Sequence, residues 1–523
     1  MYEVVKDILD SIIGCDVILE IPKNYKLGHF STTIAFTLAK ERKDSPKNIA
    51  RNLIIKLKNV KDFADVQEVN GFINITLTRE FISKISKNFI ANKHKKISNS
   101  KILLEYVSAN PTGPLHIGHA RGAVIGDTLA RIGKYLGYDI TTEYYINDMG
   151  NQITLLGKSI FISARKLLNI SNDNIDYDNN LYKGTYIIDL AKEALIKFED
   201  NIFLDSKNID LISKFGLEKM IALIKSNLNA MDIIFDNFVS ESEFQKEINE
   251  ILNKLKLADA TYIRDSKLWL KSSQKGDEKD RVIVKQNNEF TYLAGDISYH
   301  YNKFIRGFDK YINIWGADHH GYINRIRASI NFLGFDDSKL GVLLSQMVSV
   351  LKDGKPYKMS KRAGNFILMQ DVINDIGSDA LRFIFLTKKM DTHLEFDINI
   401  FSNNDISNPI YYINYANARI HSIKSKSSKK AVFDFNNLED EWIELLLHAL
   451  MLDKVLFNSF EDRALQKLPE YLKVLATKFH QNYNAIKIID SPNEAFILAV
   501  LEVVSFSITK GFDLMGIKVK TKM

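Results

Sequence analysis

The period of apolar and polar residues changes several times along the chain, and each change predicts an element. Near the start, "STTIAFTLAKERKDSPKNIARNLIIKL" repeats its apolar residues at helical spacing, whereas "DVQEVNGFINITLT" has strand character. The polar, lysine-rich "NKHKKISNSK" then reads as a linker, so residues 1–99 are expected to form a small α+β domain. From Lys101, "KILLEYVS" is a buried-strand candidate, a loop broken by proline and glycine follows, and "RGAVIGDTLARIGKYLG" has helical spacing ending at Gly137. "DITTEYYIND" returns to strand chemistry. Strand, helix, strand predicts a βαβ unit with a parallel sheet, whose ligand site lies at the carboxyl ends of its strands.

From about Asp148 to Asp280 the pattern is largely helical and polar, an insertion placed at about 150–280. Strand-like runs resume with "RVIVKQ", "FTYLAGDISYH" and "YINIWGADHHGY", and a helical "NRIRASINFLG" follows, so the α/β core spans 100–345. Residues 346–398 carry a basic, glycine-flanked loop and a connecting helical region. From 399 the remainder reads as helices, among them "NPIYYINYANARIHSIKS", opened by Pro409, and "ALQKLPEYLKVLATKFHQNYNAI". The expected fold class is multidomain α/β: a parallel-sheet core with a helical insertion, an amino-terminal α+β domain and a carboxyl-terminal all-α helical bundle.

Length supports this division, because 523 residues exceed what one hydrophobic core holds and suggest about three or four domains. A hydrophobic share of 46% and a charged share of 26% are those of an ordinary soluble globular protein. The formal net charge of +6 permits a polyanionic partner without demanding one. One cysteine, Cys15, leaves no disulfide framework and no cysteine-rich zinc site, which fits a reducing cytosolic compartment. The start "MYEVVKDILDSIIGCDVILEIPK" has acidic residues among its apolar ones, unlike a signal peptide, and no unbroken apolar run of about 20 residues suggests a membrane span. A cytoplasmic protein is expected.

Two stretches carry candidate chemistry. "PTGPLHIGH" places His116 and His119 three residues apart at the entrance to a helix, where both rings can share one face of the first turn. That helix end also offers N–H groups and a positive dipole, so the pair suits phosphate and the charge built up in phosphoryl or nucleotidyl transfer. A bare H-x-x-H is more often a capped surface loop, and a zinc site would need further ligands that the neighbourhood lacks. The second stretch, "KPYKMSKRAGNF", sets Lys355, Lys358, Lys361 and Arg362 in a short loop. Alone it would be a solvated turn; as a functional loop its lysines would neutralise a leaving pyrophosphate, with Ser360 donating a further hydrogen bond.

Together, "HIGH" after the first core strand and "KMSK" far downstream resemble the class I aminoacyl-tRNA synthetases. The resemblance implies a Rossmann-like nucleotide-binding core and a two-step reaction, in which an amino acid is activated with ATP and transferred to the terminal ribose of tRNA. It implies His116, His119, Lys358 and Lys361 as the catalytic residues. ATP contacts are implied at Gly113, His116, Gly118, His119, Lys358, Met359, Ser360 and Lys361, with Asp318 and His319 of "WGADHH" near the ribose, adenine or substrate. ATP is expected with Mg2+, and no protein-bound structural metal is expected.

The amino acid is read from the acidic residues. Glu105 ends the first core strand, Asn110 lies in the loop after it, and Tyr292 and Asp296 stand four apart. Two carboxylates with a tyrosine and an amide suit a cation, above all the planar guanidinium fork. Outside a synthetase the same residues would more often be ordinary salt bridges. "EYVSANPTGPLHIGHARGAVIGDTLARI", "EYYINDMGNQI", "TYLAGDISYH", "WGADHHGY" and "NPIYYINYANARI" are similar to the arginyl-tRNA synthetases of the bacterial type, and the likeness runs over nearly the whole chain. It implies arginine contacts at Glu105, Ser108, Asn110, Tyr292 and Asp296. It also implies an amino-terminal domain that touches the tRNA elbow, an insertion that holds the acceptor end, and an anticodon-binding domain from 399. "DLMGIKVKTKM" resembles the family's closing residues, which implies a complete chain.

In the helical end, Tyr411, Tyr415 and Arg419 are the candidate tRNA contacts, aromatic faces for stacking bases and a cation for phosphate. At helical spacing at least one of Tyr411, Tyr412 and Tyr415 is expected to be buried. Many family members have a degraded second motif, whereas this chain keeps "KMSKR" in full. The family implies activation that needs bound tRNA, no editing domain, and a monomer. A class I synthetase for lysine and a non-catalytic tRNA-binding paralogue remain the alternatives.

Overall fold

The computed structural model describes residues 1–22, 24–91, 98–171, 180–357, 366–403 and 405–523. Lys358, Met359, Ser360 and Lys361 lie outside the described residues. The chain forms two compact units, one of residues 97–403 and one that joins residues 1–96 with 404–523.

The first of these is built on five parallel strands: β1 (Lys101–Glu105), β2 (Asp139–Ile146), β3 (Asn237–Ser240), β4 (Lys310–Gly316) and β5 (Leu340–Ser345). Their spatial order is β5-β4-β1-β2-β3, so the order reverses at β1 and opens a crevice at its carboxyl end. Ile102, Leu103, Leu104 and Glu105 are all buried, as expected of a central strand covered on both faces. Helix α1 (Ile117–Leu136) crosses from β1 to β2 and ends at Gly137, whose φ of 101° forms a left-handed cap. At Gly126 a Cβ would stand 2.3 Å from the Tyr106 ring, so only glycine lets α1 lie this close to the chain leaving β1.

Three stretches differ from the sequence pattern. "FTYLAGDISYH" is not a strand: Tyr292–Ile305 is a helix, α2, that buries Leu293, Ala294, Ile297 and Phe304. Its β-branched and aromatic residues mimic strand composition, and packing against the core decides otherwise. The insertion is helical through Asn151–Leu167, Thr185–Lys197 and Ile209–Ala230, but beyond Ala230 it returns β3 to the edge of the main sheet. It then forms the antiparallel strands Thr261–Arg264 and Lys267–Leu270, which "RVIVKQ" (Arg281–Val284) joins in a separate small sheet. Strands of four residues give too few alternations to be read. Likewise the region after 346 holds a hairpin, β6 (Val348–Lys352) and β7 (Lys355–Pro356), with β8 (Leu394–Asp397) parallel to β6.

In the second unit, strands Leu19–Glu20, Phe30–Thr32, Phe72–Leu77 and Phe63–Val69 form an antiparallel sheet in that order. Helices Ile34–Arg42 and Pro46–Leu57 accompany it, the latter started by Pro46 and the Ser45 cap. The helix that follows the sheet, Arg79–Ile90, packs on the carboxyl-terminal helices through the Phe89 and Phe506 rings, 5.0 Å apart, and the Arg79–Asp440 ion pair at 2.6 Å. Asn408 caps Pro409–Lys426 through Ile410 N at 3.0 Å. The helix Glu494–Leu514 is long and apolar enough to cross a membrane by length and composition, although Glu502 and Lys510 interrupt its apolar run. Here Ile497, Leu501, Val504, Ile508 and Phe512 are buried in the unit's own core, the fate of a central bundle helix.

Candidate active site

The crevice after β1 is lined by the turn that carries both histidines. His116 is the N-cap of α1: its Nδ1 accepts from Gly118 N at 3.1 Å and His119 N at 3.3 Å, while His119 Nδ1 accepts from His116 N at 3.4 Å. The rings stack at 3.5 Å between centroids, and Phe366 stacks on His116 at 5.4 Å. Burial lowers the pKa of His116, and burial together with its neighbour lowers that of His119 to about 3. Both imidazoles are therefore neutral at pH 7, and with each Nδ1 accepting, each proton sits on Nε2. A Cβ at Gly118 would lie 3.0 Å from the His116 ring, so glycine there leaves the ring its place.

This geometry corrects one part of the sequence reading. The helix end does not offer free N–H groups, because Ile117 N donates to Ile367 O at 2.9 Å and the next two amides go to His116. What the turn presents to a phosphate is the pair of Nε2–H donors. The same contacts bring the described residues after the second motif against the first: Met369 N donates to Leu115 O at 3.0 Å, and Leu368 pairs with His116.

Beyond the turn the chemistry becomes acidic. Val107 and Ser108 have φ of 69° and 40°, a left-handed bend that is costly for a β-branched residue. The bend turns Ser108 Oγ back to donate to Glu105 Oε1 at 2.9 Å and to accept from Tyr145 N at 3.2 Å. Glu105 Oε2 pairs with the fully buried Lys303, which also donates to Asn313 Oδ1 at 2.9 Å. Asp296, one turn along α2 from Tyr292, accepts from the Tyr322 hydroxyl. Burial pushes its carboxyl up to about 6, against that hydrogen bond and with the charge of Glu105 adding. Tyr292 itself is 63% exposed, at the mouth of the site beside Gly150.

Glu241 is the residue sequence reasoning missed. It follows β3 directly, its Oε1 lies 2.7 Å from where a Cβ on Gly295 would be, and its buried Oε2 has no hydrogen-bond partner. Burial, then the charges of Asp296 and Asp148, raise its pKa to about 7. Among the described residues neither Asp296 nor Glu241 has a Lys or Arg partner. The only signal was "SESEF" itself, and it could not be used without knowing that β3 exists. Asp148, after β2, caps the turn that begins at Glu241 by accepting from Ser242 N at 3.0 Å and Ser242 Oγ at 2.7 Å.

The other candidates are placed as follows. Asn110 is exposed on the loop, and Gly113 lies beside Tyr186, whose hydroxyl donates to Thr112 O at 3.0 Å. Asp318 and His319 are exposed in the turn Ala317–Tyr322 after β4, with His319 close enough to favour charge on Asp296. In the other unit, the Tyr411 and Tyr415 rings lie 6.2 Å apart and 9° from parallel. Arg419 lies over Tyr415 at 4.7 Å and donates to its hydroxyl at 2.7 Å. The expected buried tyrosine is not found: Tyr411, Tyr412 and Tyr415 are all half-buried, because Ile410, Ile413, Asn417 and Ile420 take the core-facing positions.

Comparison with known proteins bears on the whole chain. The family model described as "tRNA synthetases class I (R), catalytic domain" matches residues 82–435. "Arginyl tRNA synthetase N terminal domain" matches 2–77, and "DALR anticodon binding domain" matches 413–523. The arginine–tRNA ligases of Campylobacter jejuni strain RM1221 and Wolinella succinogenes are each 51% identical over 531 positions, covering 100% of both chains. A crystal structure described as an arginyl-tRNA synthetase from Campylobacter jejuni superposes with a TM-score of 0.81 at 51% identity, over 86% of this chain and all of that one. The Thermus thermophilus arginyl-tRNA synthetase shares the fold at TM-score 0.79 and 18% identity, over 100% of both chains. With a catalytic-domain match over more than half its length and relatives of this identity end to end, the chain belongs to the class I arginyl-tRNA synthetase family.

Proposed function

We propose that the cleft at the carboxyl ends of β1–β4 is where arginine is activated, in an enzyme whose reaction is that of an arginine–tRNA ligase with arginine, ATP and tRNA as substrates. The observation that carries the assignment is a pair of half-buried carboxyls, Asp296 and Glu241, with raised pKa values and, among the described residues, no Lys or Arg ion-pair partner. The guanidinium supplies the cation: two carboxylates meet its planar donors, and the burial that disfavours their charge is offset when it binds. Glu105, balanced by Lys303, holds Ser108 toward the amino-acid backbone, and Asn110 and Tyr292 close the mouth of the pocket.

A carboxylate oxygen of arginine attacks the α-phosphorus of ATP, which enters as its magnesium complex. The bond from that phosphorus to the bridging oxygen breaks, and pyrophosphate leaves with the electron pair. The Nε2–H groups of His116 and His119 donate to the phosphoryl oxygens as their charge grows, and Lys358 and Lys361 neutralise the leaving group. Gly113, Gly118, Met359 and Ser360 complete the nucleotide contacts, with Asp318 and His319 toward the ribose. A ribose hydroxyl of the tRNA then attacks the adenylate carbonyl carbon and releases AMP. Orientation and electrostatics supply most of the rate, with no covalent enzyme intermediate.

Around this centre, residues 1–99 reach the tRNA elbow, 100–345 form the catalytic core, and 346–398 carry the KMSK stretch. Residues 399–523 hold the anticodon arm, with Tyr411, Tyr415 and Arg419 on its surface. The enzyme acts as a monomer in the cytoplasm, where its single cysteine stays reduced. The test is ATP–pyrophosphate exchange with each amino acid, with and without tRNA. Exchange should depend on arginine; exchange supported by lysine in its place overturns the assignment.

A further inference from the structure

Arg121 is a costly residue that the chemistry above does not use. It lies on α1 two residues past His119, its side chain is completely buried, and burial lowers its pKa to about 10. Among the described residues no carboxylate pairs with it. Instead Nη1 donates to Gln346 O at 3.0 Å, Nη2 donates to Lys389 O at 2.8 Å, and Nε has no partner. Among the described residues this buried guanidinium hydrogen-bonds only to main-chain carbonyls, with the charge of Asp391 favouring it from beyond ion-pair distance, a weak return for stability because burying a cation opposes folding.

The two carbonyls show what it holds. Gln346 is the second residue before β6, and Lys389 precedes β8, the strand paired with β6; Gln346 N also donates to Met390 O at 3.0 Å. One guanidinium thus fastens both chain segments that enter the β6–β8 layer to the helix that carries His116 and His119. The opposite end of the same stretch is fastened too, by the pairing of Leu115–Ile117 with Ile367–Met369 and the Phe366 ring on His116. The hairpin β6–β7 therefore leaves the histidine helix at Arg121 and the chain returns to it at His116.

We propose that Arg121 is a positioning residue for adenylate formation, fixing the histidine turn in register with the base of the hairpin that precedes the second motif. The proposal rests on the phosphate role given to His116 and His119. A fork with two donors directed at two carbonyls sets an orientation that a lysine point charge cannot. Because it acts on the arrangement of groups in the transition state and touches no substrate, its loss should appear in kcat.

Arg121→Met and Arg121→Lys are compared with the parent, tRNA present, for kcat of exchange, KM of ATP and of arginine, and Tm. Arg121→Met should lower kcat about 100-fold, the cost of a misplacement near 1 Å, and Arg121→Lys roughly tenfold, with both KM values within about threefold. If Arg121→Met does not fold, Arg121→Lys carries the test alone. A kcat within about threefold of the parent in a folded variant, or a loss confined to KM for arginine, overturns the proposal. His116→Ala and His119→Ala separate the two readings. If they retain parental exchange, the phosphate role itself fails; if they lose it while the Arg121 variants do not, only the positioning role fails.

Discussion

The two ends of the cleft stand on the same sheet and have opposite electrostatics. At one end, burial raises the carboxyls of Asp296 and Glu241 to about 6 and 7, and among the described residues neither has a Lys or Arg ion-pair partner. At the other, His116 and His119 are bases that burial holds neutral, each with one Nε2–H left to give. The same force, desolvation of the charged form, acts on both sets of groups. It does so for different ends: a site for a cation keeps charge in reserve until the ligand arrives, whereas a site for a polyanion needs donors that carry no charge of the wrong sign.

The comparison breaks most sharply at Asp296. Asp296→Ala should raise KM for arginine about 1000-fold, on the order of 4 kcal/mol, and leave KM for ATP within a factor of about two. An unchanged arginine KM removes Asp296 from the pocket. At the other end, His119→Ala should lower kcat of exchange about 100-fold, with arginine affinity by calorimetry unaltered. A shift in arginine affinity as large as the loss in kcat would mean that the two ends are not separate.

The smallest effect is a pH dependence. Asp296 and Glu241 titrate near 6 and 7 in the folded chain, above the ordinary carboxylate range, so they bind protons there that the unfolded chain does not. Their contribution to folding is full below about pH 4 and is lost as pH rises through 6 and 7. Arginine binding has the opposite sign, since the guanidinium needs both carboxylates ionised. Arginine affinity should therefore rise roughly tenfold per proton displaced from pH 5.5 to 8. Glu241→Gln should flatten the upper part of that rise. A profile that stays as steep in Glu241→Gln assigns the linked proton elsewhere.

Much of this site was legible because its parts are local. His116 and His119 lie within one helical turn, Gly137 ends the helix behind them, and Glu105, Ser108 and Asn110 are within six residues of one another. Asp296 was legible as a carboxylate four residues from a tyrosine, although its stretch reads as strand. Glu241 was not, since it becomes part of the pocket only when a four-residue edge strand joins the main sheet 94 residues after β2's partner positions. Arg121 looks like any surface arginine of an amphipathic helix until the chain returns at Gln346 and Lys389.

The sequence by itself determined the βαβ order of the core, the helix that carries the histidines, and the family, because spacing, caps and motif residues act over a few positions. Only the tertiary structure decided which groups are desolvated and what they face. It closed amides of the helix end with the imidazoles, matched Lys303 to Glu105, and left Asp296 and Glu241 with no Lys or Arg ion-pair partner among the described residues. Burial is a property of everything packed around a residue, and the neighbours that impose it here come from strands and helices far apart along the chain.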